Sequence, residues 1–218
     1  MQVPVLLVMI LAKTFPFGTV GLVLLFCFIL SMAIKRAKHK ESQDSQSFWD
    51  KETKANSSRK KDISGLEYLK VPVDSLPFGL CPSFSELEAN EANIRKLAER
   101  KLFSLGNRTN TQVKLEFGVG NFDFLSECDA AYQQLLRCLS KEAELLMSLS
   151  FTKEAVQVLN YSLSIGDDIP KDYITLANIY KSESDRKSLA KLIARAEQID
   201  SLTKKKLIED LEKIEASF

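Results

Sequence analysis

A mainly α-helical protein is predicted: an N-terminal transmembrane helix, a short extended arm, then antiparallel helical hairpins in repeat. Three observations predict it. Residues Thr14 to Ile34 form an uncharged, overwhelmingly apolar run of 21 residues. A helix rising about 1.5 Å per residue needs roughly 20 such residues to cross hydrocarbon about 30 Å thick. Downstream of the run, apolar residues recur at helical spacing. Toward the C-terminus, a shift of 34 residues superposes like on like.

The 218 residues leave room for one aqueous domain of modest core plus a linker. The formal charge of +1 hides an asymmetry, because residues 35–61 carry nine Lys/Arg against four Asp/Glu. A basic collar beside a mildly acidic body fits a juxtamembrane segment near anionic lipid. Nucleic acid is not an expected partner, since the basic residues cluster at the membrane end and not on the folded part. Cys27, Cys81, Cys128 and Cys138 show no CxxC or metal-ligand spacing. Cys128 and Cys138 fall on one helix about 15 Å apart by rise, too far to bridge, so free thiols are expected.

The span begins with Thr14-Phe15-Pro16, and proline is tolerated at a helix start because its missing N–H would be unpaired there anyway. Only Lys13 precedes it as a charged side chain, whereas Lys35, Arg36, Lys38 and Lys40 follow at once. The positive-inside rule therefore places the N-terminus outside the cell membrane and the bulk of the chain in the cytoplasm. A competing reading is a signal peptide cleaved after Ser31-Met32-Ala33. The basic cluster directly after that site and the length of the run argue against it. Segment 1–13 is short and apolar; Val3 to Ala12 is either an interfacial extension or upstream of a true start at Met9. Gly18 and Gly21 stand at i, i+3, which is not the GxxxG of close-packed dimers, and lipid-facing glycine is the expected state.

Residues 35–65 read as a basic juxtamembrane helix or linker in which Phe48 and Trp49 are the only large apolar groups before Ile63. These two either sit at the headgroup level or pack on the domain. Asp62-Ile63-Ser64-Gly65 marks a turn. Residues 66–82 form an extended arm, with Pro72 and Pro77 excluding helix, that is expected to lie in a groove of its own domain. Segment 83–126 reads as a helix plus a short strand. The helix starts at Ser83, where Ser83 and Glu86 have capping-box spacing, and runs through Leu87, Ile94, Leu97, Leu102 and Leu105 to a stop at Gly106. The strand comes from Thr111, Val113, Leu115 and Phe117 alternating with polar residues. Gly118-Val119-Gly120 lacks the third glycine and the βαβ setting of a nucleotide-binding loop, so a tight turn is expected.

Residues 127–218 carry the repeat. The 34-residue offset sets Leu139 on Tyr173, Ala143 on Ala177, Leu146 on Tyr180, Ala155 on Leu189 and Ser162 on Ala196. Small and aromatic residues at that period are the mark of a tetratricopeptide (TPR) unit, with Leu176-Ala177-Asn178-Ile179-Tyr180 the best match. Glu142 stands where leucine is usual, Ser162 replaces alanine, and the signature tryptophan is missing, so the region is TPR-like. Helices are expected at about Glu127 to Leu149, Lys153 to Ile165, Pro170 to Glu183 and Arg186 to Ile199. A capping helix follows from Leu202 to Ala216.

Taken with the arm from Phe48-Trp49-Asp50-Lys51-Glu52 through Arg59-Lys60-Lys61-Asp62-Ile63, the chain resembles a group of uncharacterised single-pass membrane proteins of low-GC Gram-positive bacteria with a TPR-like C-terminal domain. The resemblance covers nearly the full length. It implies anchoring and helical architecture, and no chemistry.

His39 is the only histidine, which removes Ser–His, Cys–His and His-based metal sites. Asp167-Asp168 follow Gly166 and precede Pro170, where acidic residues favour the next helix N-terminus. The N-x-S/T sequences at Asn56, Asn107 and Asn160 are expected chance matches. No catalytic residue, cofactor or metal is expected. The expected function is a membrane-anchored cytoplasmic interaction module holding a protein or peptide partner on the first helices of each pair, around Tyr132, Gln133, Tyr173 and Asn178. Lys35, Arg36, Lys38 and Lys40 are expected to contact anionic lipid of the bilayer. Two alternatives stand: an extracytoplasmic, chaperone-like TPR protein of opposite orientation, and an enzyme using a cleft between arm and repeats near Cys81 or Glu127.

Overall fold

A computed structural model describes residues 24–36 and 45–217. The chain divides into two compact units, Met1–Ser58 and Arg59–Phe218. In the first unit, residues 24–36 and 45–56 are helical. Every residue of 24–36 is exposed, among them Leu24, Leu25, Phe26, Phe28, Ile29 and Leu30. Among the described residues no helix is long and apolar enough to cross a membrane. Residues 14–23 of the expected span lie outside the described residues, as do Val3 to Ala12, Gly18, Gly21, Lys38, His39 and Lys40.

The second unit is built from α-helices, and its described residues contain no strand. They are α1 (Ser85–Ala98), α2 (Asn110–Phe117), α3 (Phe122–Ser148), α4 (Thr152–Ser164), α5 (Pro170–Ser182), α6 (Arg186–Ala196) and α7 (Lys204–Ala216). In α3, buried Leu125, Cys128, Tyr132, Leu135, Leu139, Ala143 and Leu146 recur every three or four residues, an apolar stripe in a helix of 27 residues. α1 packs on α3, α3 on α4, and α5 on both α6 and α7. One main core runs through these helices from Leu87 to Leu211. A smaller cluster of Leu105, Val113, Phe117 and Leu125 sits beneath Ile63, Leu66, Phe103 and Phe122.

Four expectations are corrected, three of them before α3 and one at its start. Residues 110–117 form α2 and not a strand: the Thr109 side chain accepts from the Gln112 N–H while the Gln112 side chain accepts from the Thr109 N–H. With that capping box in place, the buried pair is Val113 and Phe117 at i, i+4, and the apparent alternation is incidental. The first helix starts at Ser85 with Phe84 as N-cap and no side-chain cap, so the Ser83–Glu86 box does not form. It also ends at Ala98, well before Gly106. Leu102 continues the apolar spacing in extended backbone, because it pairs with the arm: the Leu69 N–H donates to the Leu102 carbonyl at 2.9 Å.

The arm follows an Asx turn, in which the Asp62 carboxylate accepts from the Ser64 N–H at 2.9 Å. It takes one 3₁₀ turn at Val73–Ser75, and Leu76 is buried in the main core. The Gln157 amide of α4 donates to the Ser75 carbonyl at 2.6 Å. Gly118 ends α2 at φ 85°, and a Cβ built there would meet the Arg59 carbonyl oxygen at 2.1 Å. The close approach lets the Lys61 N–H reach the Phe117 carbonyl at 3.1 Å, while the Asn121 amide bridges the Lys61 and Phe117 carbonyls, each at 2.7 Å. The turn leads straight into α3, which therefore begins at Phe122 and not at Glu127.

The turns after α3 and α5 match bond for bond at an offset of 34. Ser150 and Ser184 both have positive φ, 66° and 57°. The Phe151 N–H donates to Leu146 O and the Asp185 N–H to Tyr180 O, each at 2.8 Å. The Ser150 N–H donates to Met147 O and the Ser184 N–H to Lys181 O, each at 3.0 Å. These paired bonds make a Schellman motif at each helix end, and α4 closes the same way through Gly166 and Asp167.

Candidate functional site

The C-terminal end of α4 exposes carbonyls that no helical N–H can satisfy, and neighbouring helices supply donors. Tyr132 of α3 donates its hydroxyl to Ile165 O at 2.6 Å. Tyr173 of α5 donates to Asp167 O at 3.1 Å, and the Arg195 guanidinium of α6 to Leu163 O at 2.6 Å. Around these donors opens a cleft of about 370 Å³, lined also by Gln133, Asn107, Asp168, Gln198 and Asp200. The Asn107 amide donates to the Asp200 carbonyl, which joins the 104–107 loop to the end of α6 across the cleft. Gly166 forms part of the wall at φ 102°, where an added Cβ would lie 3.1 Å from the Tyr132 hydroxyl.

Tyr132, Gln133 and Tyr173 thus come together on one cleft, while Asn178 is exposed elsewhere on α5 and does not line it. The residues missed from the sequence are Arg195, Gln198 and Asp200, from the last turn of a second helix and its exit. The expected surface lies on the first helices of each pair, whereas these three lie at the end of a second. The 34-residue offset sets Arg195 on Tyr161 and Gln198 on Ser164, and so points to the same helix ends.

Burial raises both phenols, Tyr173 to about 12, so neither is a phenolate near neutral pH. Behind the wall lies a buried polar group in which Asp172 Oδ2 has no hydrogen-bond partner among the described residues. Asp172 Oδ1 accepts from the Ser140 hydroxyl at 2.6 Å, and Asp167 accepts from the Ser162 hydroxyl and the Ile169 N–H, each at 2.8 Å. Burial, then the neighbouring Asp167 carboxyl, pushes the Asp172 carboxyl well above the ordinary carboxylate range. Asp172 is only 2% exposed, so no substrate reaches it. Asp167 takes part in holding the α4–α5 turn, and Asp168 is exposed at its surface.

A second hollow, of about 520 Å³, lies between the arm at Glu67 to Lys70 and Leu102, Phe103, Tyr132 and Ile165. Cys81 and Glu127 do not line it. Cys81 lines a smaller one with Glu88, Glu91 and Arg95, in which both Glu91 oxygens are taken by the Gly79 N–H at 2.9 and 3.0 Å. Among the described residues no group of three His, Cys, Asp or Glu is arranged to hold a metal ion. Cys27, Cys81, Cys128 and Cys138 are free, and burial raises the Cys128 and Cys138 thiols.

No family model, curated protein or solved structure matches the chain. The fold and its cleft define an all-α protein whose described second unit is a set of packed helical hairpins.

Proposed function

We propose that this chain is a membrane-anchored interaction module whose TPR-like hairpins hold a peptide or helix of a partner protein on the cytoplasmic face. The observation that carries the reading is the bond-for-bond recurrence of the α3–α4 and α5–α6 turns at a 34-residue offset beside a cleft lined by Tyr132, Gln133 and Tyr173. Stacked hairpins of this period form recognition surfaces, and the cleft presents half-buried Gln133 with exposed Asp168, Arg195 and Gln198 against a wall held by the buried Tyr132 and Tyr173. The uncharged run from Thr14 and the exposed apolar helical residues 24–34 support the anchor. Lys35 and Arg36 support the inward orientation. Tethering then raises the effective concentration of the cleft near membrane-bound partners.

The test is photo-crosslinking of the full chain in its native membrane. A crosslinker at Gln133 yields a discrete adduct that one at Lys205 does not, and Asp168→Lys together with Arg195→Glu abolishes it. Equal adducts from both positions, or turnover of a metabolite by the purified chain, sink the reading. For orientation, a cysteine placed by Ser57→Cys is modified by an impermeant maleimide only after the cells are opened. Modification in intact cells reverses the topology.

A further inference from the structure

Phe48 and Trp49 stand 55% and 62% exposed on helical residues 45–56, with ring centroids 5.5 Å apart in an edge-to-face pair. Exposing two large aromatics side by side leaves in water an apolar area that a packed site would bury. A sequence this polar, with Ser, Gln, Asp, Lys and Glu from 45 to 54, has no folding reason to keep them. Their unit also carries the exposed apolar helical residues 24–34.

We infer that Phe48 and Trp49 are a second membrane contact, seated at the headgroup level of an anionic lipid surface. Tryptophan combines an apolar body with one N–H donor and concentrates at that depth. The charge of their own unit leans the same way: Lys51 and Lys54 are exposed on the same helical stretch and offset Asp50 and Glu52, and residues 35–58 sum to +2. Basic residues close to an anionic surface are drawn to it, and the attraction fades within a Debye length. The inference rests on the anchoring proposed above and adds a depth and a lipid class to it.

Trp49 is the only tryptophan of the chain, so its fluorescence reports this position alone. The full chain is reconstituted into vesicles of phosphatidylcholine with phosphatidylglycerol, the acyl chains brominated near the headgroup or near the chain end. The expected result is blue-shifted emission quenched more by the shallow bromines, with weaker quenching in phosphatidylcholine alone and in the variant Lys51→Glu with Lys54→Glu. Water-like emission without quenching, or stronger quenching by the deep bromines, overturns the placement. Equal quenching without anionic lipid overturns the assignment to an anionic surface. Labelling of Cys27 by an impermeant maleimide in the same vesicles separates the two readings. If Cys27 is labelled, the anchor itself fails; if Cys27 is protected while Trp49 stays in water, only this inference fails.

Discussion

At single residues, backbone conformation gives the sharpest expectations. Gly118 and Gly106 both have positive φ, yet a Cβ at Gly118 meets backbone at 2.1 Å whereas one at Gly106 meets nothing within 4 Å. Gly106→Ala therefore costs only the left-handed strain, about 1–2 kcal/mol. Gly118→Ala also displaces the Arg59–Lys60 backbone and costs about 3 kcal/mol or more. Urea unfolding of the two variants in mild detergent checks the order, and equal losses would contradict it. Ser150 and Ser184, at φ 66° and 57°, already carry that left-handed strain. Glycine at either position raises stability by about 0.5–1 kcal/mol, after the larger entropy that glycine loses on folding is counted. These positions explain part of what the sequence hid. A serine at a Schellman C′ position looks like any loop serine, while Gly166 at the matching place was readable as a helix stop.

Among the elements, α2 depends most on its ends. Eight residues fall below the length at which a helix is stable alone, so the Thr109–Gln112 box and the burial of Val113 and Phe117 decide its state. Thr109→Ala is expected to cost about 1 kcal/mol and to speed hydrogen exchange at the Gln112 N–H. Unchanged exchange there would show that the tertiary contacts suffice. The same element shows the limit of pattern reading. Over seven residues Val113 and Phe117 satisfy a period of two as well as a period near four, and only the capping atoms separate them. The long helices were legible because α3, α4, α5 and α6 each repeat their apolar stripe over three turns or more. The end of α1 was not, since Leu102 keeps the helical spacing while its carbonyl pairs with Leu69 from the arm. Of the residues lining the cleft, Tyr132, Gln133 and Tyr173 were legible as surface candidates because they lie on first helices. Arg195, Gln198 and Asp200 were not, because only the folded chain brings the end of α6 to the end of α4.

For the whole molecule, buried acid sets a dependence on pH. Glu142 is fully buried, accepts from the Asn90 amide at 2.6 Å, and leaves Oε1 without a partner among the described residues. Burial pushes its carboxyl up to about 7, and Asp172 is raised as well. A carboxyl with a folded-state pKa above its unfolded value holds its proton longer in the native state. Between about pH 4 and 7 the folded chain therefore binds more protons than the unfolded one. The stabilisation is complete at the acidic end of that window and is lost as pH rises through the folded pKa. Glu142→Gln and Asp172→Asn are each expected to flatten the fall and to stabilise the chain at pH 8, by an amount on the order of 1–2 kcal/mol. Melting temperature against pH for the wild type and both variants reads this directly. A wild-type profile that rises from pH 5 to 8 would refute it.

The paired turns at Ser150 and Ser184 also make the chain extendable. A second copy of residues 151–184 spliced in after Ser184 creates the junctions Ser184-Phe151 and Ser184-Asp185. The first repeats the local chemistry of Ser150-Phe151, and the second is already native. Each junction meets a helix end prepared to close through the same two hydrogen bonds, so the inserted unit adds one more first-and-second helix pair without a new loop. A chain lengthened in this way keeps, at both junctions, turn chemistry that it already has.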